Sequence, residues 1–253
     1  MDIVGKRAIV IGGASGMALA TTELLHKSGA IVAIMDLEKS DGYKIATKMG
    51  IPFAACDILD YDDIEVKLRS TAKVLGGLNI VVTTAGGGIA KRTISRSGPH
   101  SMSDFTKVVS LSLNATFNIC RIAADIIKDE IPDENGERGV LINTASIAAY
   151  EGQIGQVAYA AAKAGVVGMT LPMARDLGSL GIRVMAIAPS LFSTGATKDV
   201  SSEMATALTA NCAFPKRMGL PHEYSLLARS IIENPMLNGS CIRLDAGVRF
   251  GPK

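Results

Sequence analysis

The sequence predicts an α/β protein, a single doubly wound domain of 253 residues whose seven-stranded, mostly parallel sheet carries helices on both faces. Three observations predict it. Short apolar runs alternate with longer amphipathic stretches along the chain, the rhythm of repeated strand–helix–strand units. A glycine-rich turn joins the first run to the first amphipathic stretch. No Pro/Ser/Gly-rich linker or composition break divides the chain, so residues 1–253 read as one domain with a less periodic, substrate-side loop at about 189–220.

The elements follow in order. Residues 6–11 read as a strand and 15–28 as a helix; 31–35 as a strand and 37–49 as a helix; 52–55 as a strand and 61–75 as a helix. The short apolar run 79–83 continues the strands, and a long helical stretch runs from about 103 to 128. Residues 129–138 (DEIPDENGER) are charged and turn-rich, which predicts a solvated loop before the buried strand 140–144. A helix at 157–180 and a strand at 183–188 follow. From 189 to 220 the periodicity fades, at a strand end where substrate lids are found. A helix at 223–233 and a strand at 241–244 finish the pattern.

Composition narrows the function classes. The 26 basic and 24 acidic residues give a net charge of +2 and are dispersed, whereas phosphate backbones call for a clustered basic face. No nucleic-acid partner is expected. A 48% hydrophobic content with only 4% aromatic residues predicts a core of Val, Ile, Leu, Ala and Met, as buried parallel sheets favour. Cys56, Cys120, Cys212 and Cys241 lack C-x-x-C spacing, and no secretory signal precedes the first strand, so reduced thiols and a cytoplasmic setting are expected. His26, His100 and His222 stand apart from one another, and no metal site is expected. No apolar run approaches the roughly 20 residues of a membrane span, so no membrane association is expected either.

The chemistry lies at predicted strand ends. Gly12, Ser15, Gly16 and Met17 belong to IGGASGMA (11–18), which follows a strand and opens a helix. In that context glycines let the backbone turn sharply and let a pyrophosphate approach the helix amino end, where free N–H groups and the dipole favour anions. A tight turn capped by Ser15 accounts for the same residues; the position after the first strand favours the ligand. Asp36 ends the second strand, where a carboxylate accepts hydrogen bonds from ribose hydroxyls and repels a 2′-phosphate. No Arg or Lys directly flanks it, which points to NAD; a helix-capping role is compatible. Asp57, with Ile58 beside it, follows the third strand, placed either to meet an adenine amino group or to cap the next helix. Thr84, Ala85 and Gly86 end the fourth strand and remove bulk where the nicotinamide-side ribose would lie.

Tyr159 and Lys163 are four apart and share a helix face. An ammonium near a phenol, with an oxidised nicotinamide beside it, favours phenolate and draws the tyrosine from about 10 toward working pH. The pair alone is ordinary on a solvated helix. The glycine turn, the acid and Ser146, thirteen positions before Tyr159, make it a candidate general base.

Taken together, residues 12–18, Asp36, Asp57, Ala85-Gly86, Asn114, Ser146, Tyr159-Ala-Ala-Ala-Lys163 and 189–194 stand in an order that resembles the short-chain dehydrogenase/reductase family over essentially the whole chain. Segments 139–155 (GVLINTASIAAYEGQIG), 167–177 (VGMTLPMARDL) and 214–244 are similar to its 3-hydroxyacyl-CoA dehydrogenase type 2 branch, whose members also oxidise hydroxysteroids. The resemblance implies a Rossmann-type fold and NAD-dependent oxidation of a secondary alcohol, with a 3-hydroxyacyl-CoA or similar bulky substrate. It also implies roles: Tyr159 as acid/base, Ser146 orienting the substrate oxygen, Lys163 holding the nicotinamide ribose and lowering the tyrosine, and Asn114 positioning a water between Lys163 and solvent. Pro189, Phe192 and Thr194 match the loop that closes over the nicotinamide; packing on the final helix is the other reading of that loop.

Four departures fall in the cofactor frame: Ile11 replaces Thr, Ala18 the third Gly, Thr83 Asn, and Ser190 the Gly after Pro. They leave two hypotheses, an active NAD-dependent homotetramer or a cofactor-impaired structural subunit of a heterotetramer. Lys91, Arg92 and Arg96 follow the Gly-rich turn at 86–88, to meet a CoA phosphate or simply to be solvated.

Overall fold

The computed structural model describes residues 1–195 and 201–252. Strands β1 (Arg7–Ile11), β2 (Ile31–Asp36), β3 (Phe53–Ala55), β4 (Ile80–Thr83), β7 (Gly139–Thr144), β8 (Ile182–Pro189) and β9 (Cys241–Leu244) form one sheet in the order β3-β2-β1-β4-β7-β8-β9. All its pairings are parallel. A small hairpin, β5 (Ile94–Ser95) and β6 (Gly98–Pro99), stands apart. The chain runs outward through β2 and β3, then crosses back to lay β4 on the other side of β1. That reversal opens a crevice above the carboxyl ends of β1 and β4, the usual ligand position in such sheets.

Helices α1 (Gly16–Lys27), α2 (Gly42–Met49), α3 (Tyr61–Leu75), α4 (Met102–Val109), α5 (Ala115–Ile127), α6 (Ala148–Glu151), α7 (Val157–Gly178), α8 (Ser202–Thr209) and α9 (Pro221–Glu233) complete the described elements. Alternation along β1 shows why both faces need cover: Ile9 and Ile11 join a core with residues of α3 and α5, while Ala8 and Val10 join one with residues of α1 and α9. A strand buried on both sides has no polar face to show, and RAIVI reads as a continuous apolar run for that reason.

The structure corrects several expectations. The helical stretch 103–128 is interrupted, because Ser110–Asn114 between α4 and α5 forms a π segment that inserts a wider turn. Helix α2 starts at Gly42, not 37, since Leu37 N–H is taken by Asp36 Oδ1 (2.7 Å) and Gly42 N–H by Ser40 Oγ (3.2 Å), which fixes a turn there. The hairpin, α6 and α8 are too short to show a period. Residues 196–200 of the expected 189–220 loop lie outside the described residues.

The 129–138 segment is tied down rather than merely solvated. Glu130 accepts from Arg7 (2.8 Å) and from Leu78 N–H (2.7 Å). Glu137 is only 7% exposed and accepts from the buried Arg183 (2.8 Å) and from the Met1 ammonium (3.0 Å). Arg183 also donates to the carbonyls of Ile231, Ile232 and Leu237, joining β8 to the end of α9. Helix α7, of 22 residues, is long and apolar enough by length and composition to cross a membrane. It packs against α4, α6 and β8 and buries Lys163, while 39% of its apolar window is buried.

Candidate active site

The carboxyl ends of the strands open onto one elongated cavity of about 970 Å³, at the upper end of the range for small-molecule pockets. Its lining follows the strand order: Asp57 and Ile58 after β3, Asp36 at the end of β2, Gly12, Ser15, Gly16 and Met17 after β1, and Thr84, Ala85 and Gly86 after β4. Ser146, Tyr159 and Lys163 follow, with Pro189, Phe192 and Thr194 after β8. The candidate cofactor residues are thus gathered on one wall system.

The glycines fit a cradle. A Cβ on Gly12 (φ +79°) would stand 3.1 Å from Ala85 N and from Thr84 Oγ1, where the two turns meet. Gly16 (φ +52°) would push a Cβ to 3.1 Å from Thr194, so the β8 loop rests on the start of α1. Asp36 Oδ2 accepts from Ala14 N–H (3.0 Å), which fixes the carboxylate between the glycine turn and its own strand end. Asp57 closes a local turn onto Leu59 N–H (3.0 Å), while the capping of α3 falls to Asp60, which accepts from Asp63 N–H (3.0 Å). Asp57 is thereby left as a cavity residue.

At the other end Lys163 is buried, and its Nζ donates to the Thr144 carbonyl at 2.6 Å while lying 5.8 Å from the centre of the Tyr159 ring. Burial pulls this lysine down to about 8, so at neutral pH it remains mainly an ammonium. Burial likewise pushes the Tyr159 phenol above the ordinary tyrosine value, and a hydrogen bond with Ser146 opposes that rise. Burial is the larger of these two influences on the phenol, and Lys163 is bonded to the strand-end carbonyl rather than to the Tyr159 hydroxyl. The ring itself lies on Gly88, where a Cβ would come within 2.9 Å of Tyr159 Cδ2.

Thr144 has a second set of partners. Its hydroxyl donates to the Thr83 carbonyl (2.7 Å), so the contact with Tyr224 at 2.7 Å must have the tyrosine as donor. Tyr224, fully buried on α9, therefore braces the same residue whose carbonyl holds Lys163.

Asn114 is placed differently from the expectation. Its side chain is exposed and is not part of the cavity lining. The π segment turns Ser112 inward instead: it is 0% exposed, its Oγ donates to Gly87 O (2.8 Å) and accepts from Gly87 N–H (3.0 Å). A Cβ on Gly86 would sit 3.3 Å from both Ser112 Oγ and Lys163 Nζ, so the two side chains converge there. Residues two apart on a helix do not share a face, and the inserted turn carries no sequence mark by which to choose between them. Ser112→Ala is expected to cost about 1–3 kcal/mol of stability and to weaken dinucleotide binding. Asn114→Ala is expected to stay within about 0.5 kcal/mol of the parent. Thermal melts and a dinucleotide titration of both variants check this, and equal effects would contradict the assignment.

Of the four departures, Ile11 and Ser190 line the cavity, whereas Ala18 is buried in the core shared by α1 and α9. Its methyl group is absorbed by packing there. Thr83 is buried with its hydroxyl oxygen lacking a partner, opposite Asn143, whose Nδ2 also lacks one. Lys91 is paired with Asp104 (2.8 Å), Arg92 and Arg96 are exposed around the hairpin, and none of the three lines the cavity. Among the described residues no group of three or more His, Cys, Asp or Glu side chains is placed to hold a metal ion.

Comparison with known proteins bears on this geometry. A family model described as short chain dehydrogenase matches residues 6–205. The chain is 43% identical to 3-hydroxyacyl-CoA dehydrogenase type-2 of Bos taurus, over 99% of this chain and 98% of that protein. It is equally 43% identical to the Homo sapiens protein of that name, with the same coverage. The crystal structure of 3-hydroxyacyl-CoA dehydrogenase type-2 from Mycobacterium avium superposes with a TM-score of 0.94 at 45% identity, covering 98% of each chain. With the glycine cradle, the Ser146–Tyr159–Lys163 end and the sheet order all in agreement, the chain belongs to the short-chain dehydrogenase family and is an oxidoreductase.

Proposed function

We propose that this enzyme oxidises a secondary alcohol to a ketone, and reduces it in reverse, with NAD as hydride carrier and a 3-hydroxyacyl-CoA or similar bulky hydroxy compound as substrate. The observation that carries the reading is the single cavity joining the Asp36 end to the Ser146–Tyr159 end. The dinucleotide would be held by Gly12, Ser15, Gly16 and Met17 at the pyrophosphate, by Asp36 at the adenosine ribose, with Asp57 and Ile58 beyond, and by Thr84, Ala85, Gly86 and Lys163 toward the nicotinamide. Pro189, Phe192 and Thr194 would cover it. When bound, it supplies the hydride acceptor and, oxidised, a positive charge beside the phenol.

The residues do the rest. Ser146 and Tyr159 line the same end of the cavity and can hold one substrate oxygen between them. A phenol kept protonated by burial is ready to donate to a ketone oxygen, and in the oxidising direction it must first lose its proton. Lys163 provides a buried cation at the same end.

NAD over NADP rests on the Asp36 charge, which a 2′-phosphate would meet directly, although the exposed Lys39 lines the same end. One such charge pair is worth about 1–4 kcal/mol, or roughly 5- to several-hundred-fold in affinity. Steady-state rates with 3-hydroxybutyryl-CoA and each dinucleotide test the proposal, NAD being expected to win by that margin. Equal use of both, or no turnover despite saturable NADH binding, would count against it. The alternative of a cofactor-impaired subunit draws no support from a cradle in which Ala18 faces the core.

We further place the enzyme in a reducing, cytoplasmic compartment and in a homotetramer. Four free thiols support the first. The exposed Phe117, Val157 and Leu171 on α5 and α7 support the second, and light scattering of the purified chain checks it.

A further inference from the structure

We propose that the turn after β9 is a clasp, in which Ala246 and Val248 position Ser146 from outside the cavity. The clasp ties the segment between α8 and α9 to the back of the serine's own turn. This rests on the reading of Ser146 as the group that orients the substrate oxygen, and it adds two residues which that reading does not use.

Among the described residues Ala246 is the only non-glycine residue with a left-handed backbone, at φ +53°, and Gly247 follows it at φ +73°. Val248 N–H is bonded to the Asp245 carbonyl (2.9 Å), so residues 245–248 have the pattern of a type I′ turn, which calls for positive φ at both central positions. Glycine or asparagine suits such a place, because the Cβ of other residues crowds the neighbouring carbonyl. A residue held there persists only where the surrounding structure over-determines it.

The surrounding contacts run to two sides. The Ala246 carbonyl accepts from Ala213 N–H (2.9 Å) and Phe214 N–H (3.3 Å), which fixes the chain beyond α8. That chain continues to Gly219, whose N–H and carbonyl are bonded to Leu191 O (2.9 Å) and Ser193 N–H (2.8 Å) in the loop that lines the cavity. On the other side Val248, 1% exposed, packs with Cys212 and Ile147 in one buried cluster, against which Ala246 also rests. Ile147 follows Ser146 in the chain. Its N–H is bonded to the Pro189 carbonyl (3.1 Å), and Ser146 Oγ accepts from Ala148 N–H (3.1 Å), so the serine is set by a turn whose Ile147 side chain the clasp grips. A second tie runs beside the first, since Arg243 bonds Glu151 at the end of α6 (2.8 and 2.9 Å) and Asp245 at the start of the turn (2.6 Å). Neither Ala246 nor Val248 lines the cavity, so both are positioning residues that act through Ile147. Misplacing an orienting group by about 1 Å can cost about a hundredfold in rate.

The test uses the full chain with NAD and 3-hydroxybutyryl-CoA, and compares Ala246→Val with Ala246→Gly. Glycine keeps the left-handed turn, whereas a β-branched side chain opposes it. Ala246→Val should lower kcat/KM for the alcohol about ten- to hundredfold and leave the NADH dissociation constant within about threefold. Ala246→Gly should leave both within about threefold. Hydrogen exchange of the 147–150 amides reads the clasp without turnover and should quicken in Ala246→Val alone. Parental kcat/KM in Ala246→Val, an equal loss in Ala246→Gly, a parallel loss of NADH affinity, or unaltered exchange would overturn the clasp. Val248→Ala keeps the turn and trims only the side chain on Ile147, and it carries the test if Ala246→Val does not fold. A loss of about three- to tenfold in kcat/KM is expected for it, and no loss would overturn the proposal. A wild type that turns over no alcohol would count against the proposed oxidation, and the exchange comparison would still decide the clasp.

Discussion

Tyr159→Phe is expected to lower kcat by about 10²–10⁴ or more while leaving NADH affinity within about threefold. The variant removes one oxygen from a ring that lies against Gly88, so the cavity keeps its shape. What is lost is the hydroxyl proposed to donate its proton to the substrate oxygen. The raised phenol gives the wild type a pH signature: oxidation, which needs the deprotonated form, should rise toward alkaline pH, and reduction should fall over the same range. Steady-state profiles in both directions, with NADH titrations of both proteins, decide the matter. A phenylalanine variant that turns over at near-parental rates would refute the assignment of the proton-transfer group.

The second large effect concerns stability. Arg183→Leu is expected to cost about 3–5 kcal/mol, because it strips Glu137 of its guanidinium partner in a site with little access to water. The carbonyls of Ile231, Ile232 and Leu237 lose their donor in the same change. For a domain of this size the melting midpoint should fall by roughly 6–20 °C. Arg183→Leu combined with Glu137→Leu should cost less than the two single changes added together, since each removes a charge the other would otherwise strand. Thermal or urea unfolding of the three variants measures the coupling, and strict additivity would show that the pair is not a unit.

Glu137 also shows where sequence reading loses its grip. DEIPDENGER carries charge and turn formers in the proportions of a solvated loop, and nothing local distinguishes the carboxylate that ends up 7% exposed. Its partner lies 46 positions away on β8, and only folding brings them together. The sheet, by contrast, was readable almost to the residue, because strands buried on both faces are continuous apolar runs. Gly12, Asp36 and Tyr159 could be placed because each stands at a fixed point of that sheet or its helices. Ser112 and Asn114 could not be told apart, since the π segment shifts which of two neighbouring positions turns inward.

The bond from Tyr224 to Thr144 means that the residue whose carbonyl holds Lys163 is braced from a helix that makes no part of the cavity lining. Directed-evolution libraries restricted to pocket positions would therefore leave this brace behind Lys163 untouched. Natural variants in α9 belong among the candidates whenever activity changes with no altered residue near the ligand.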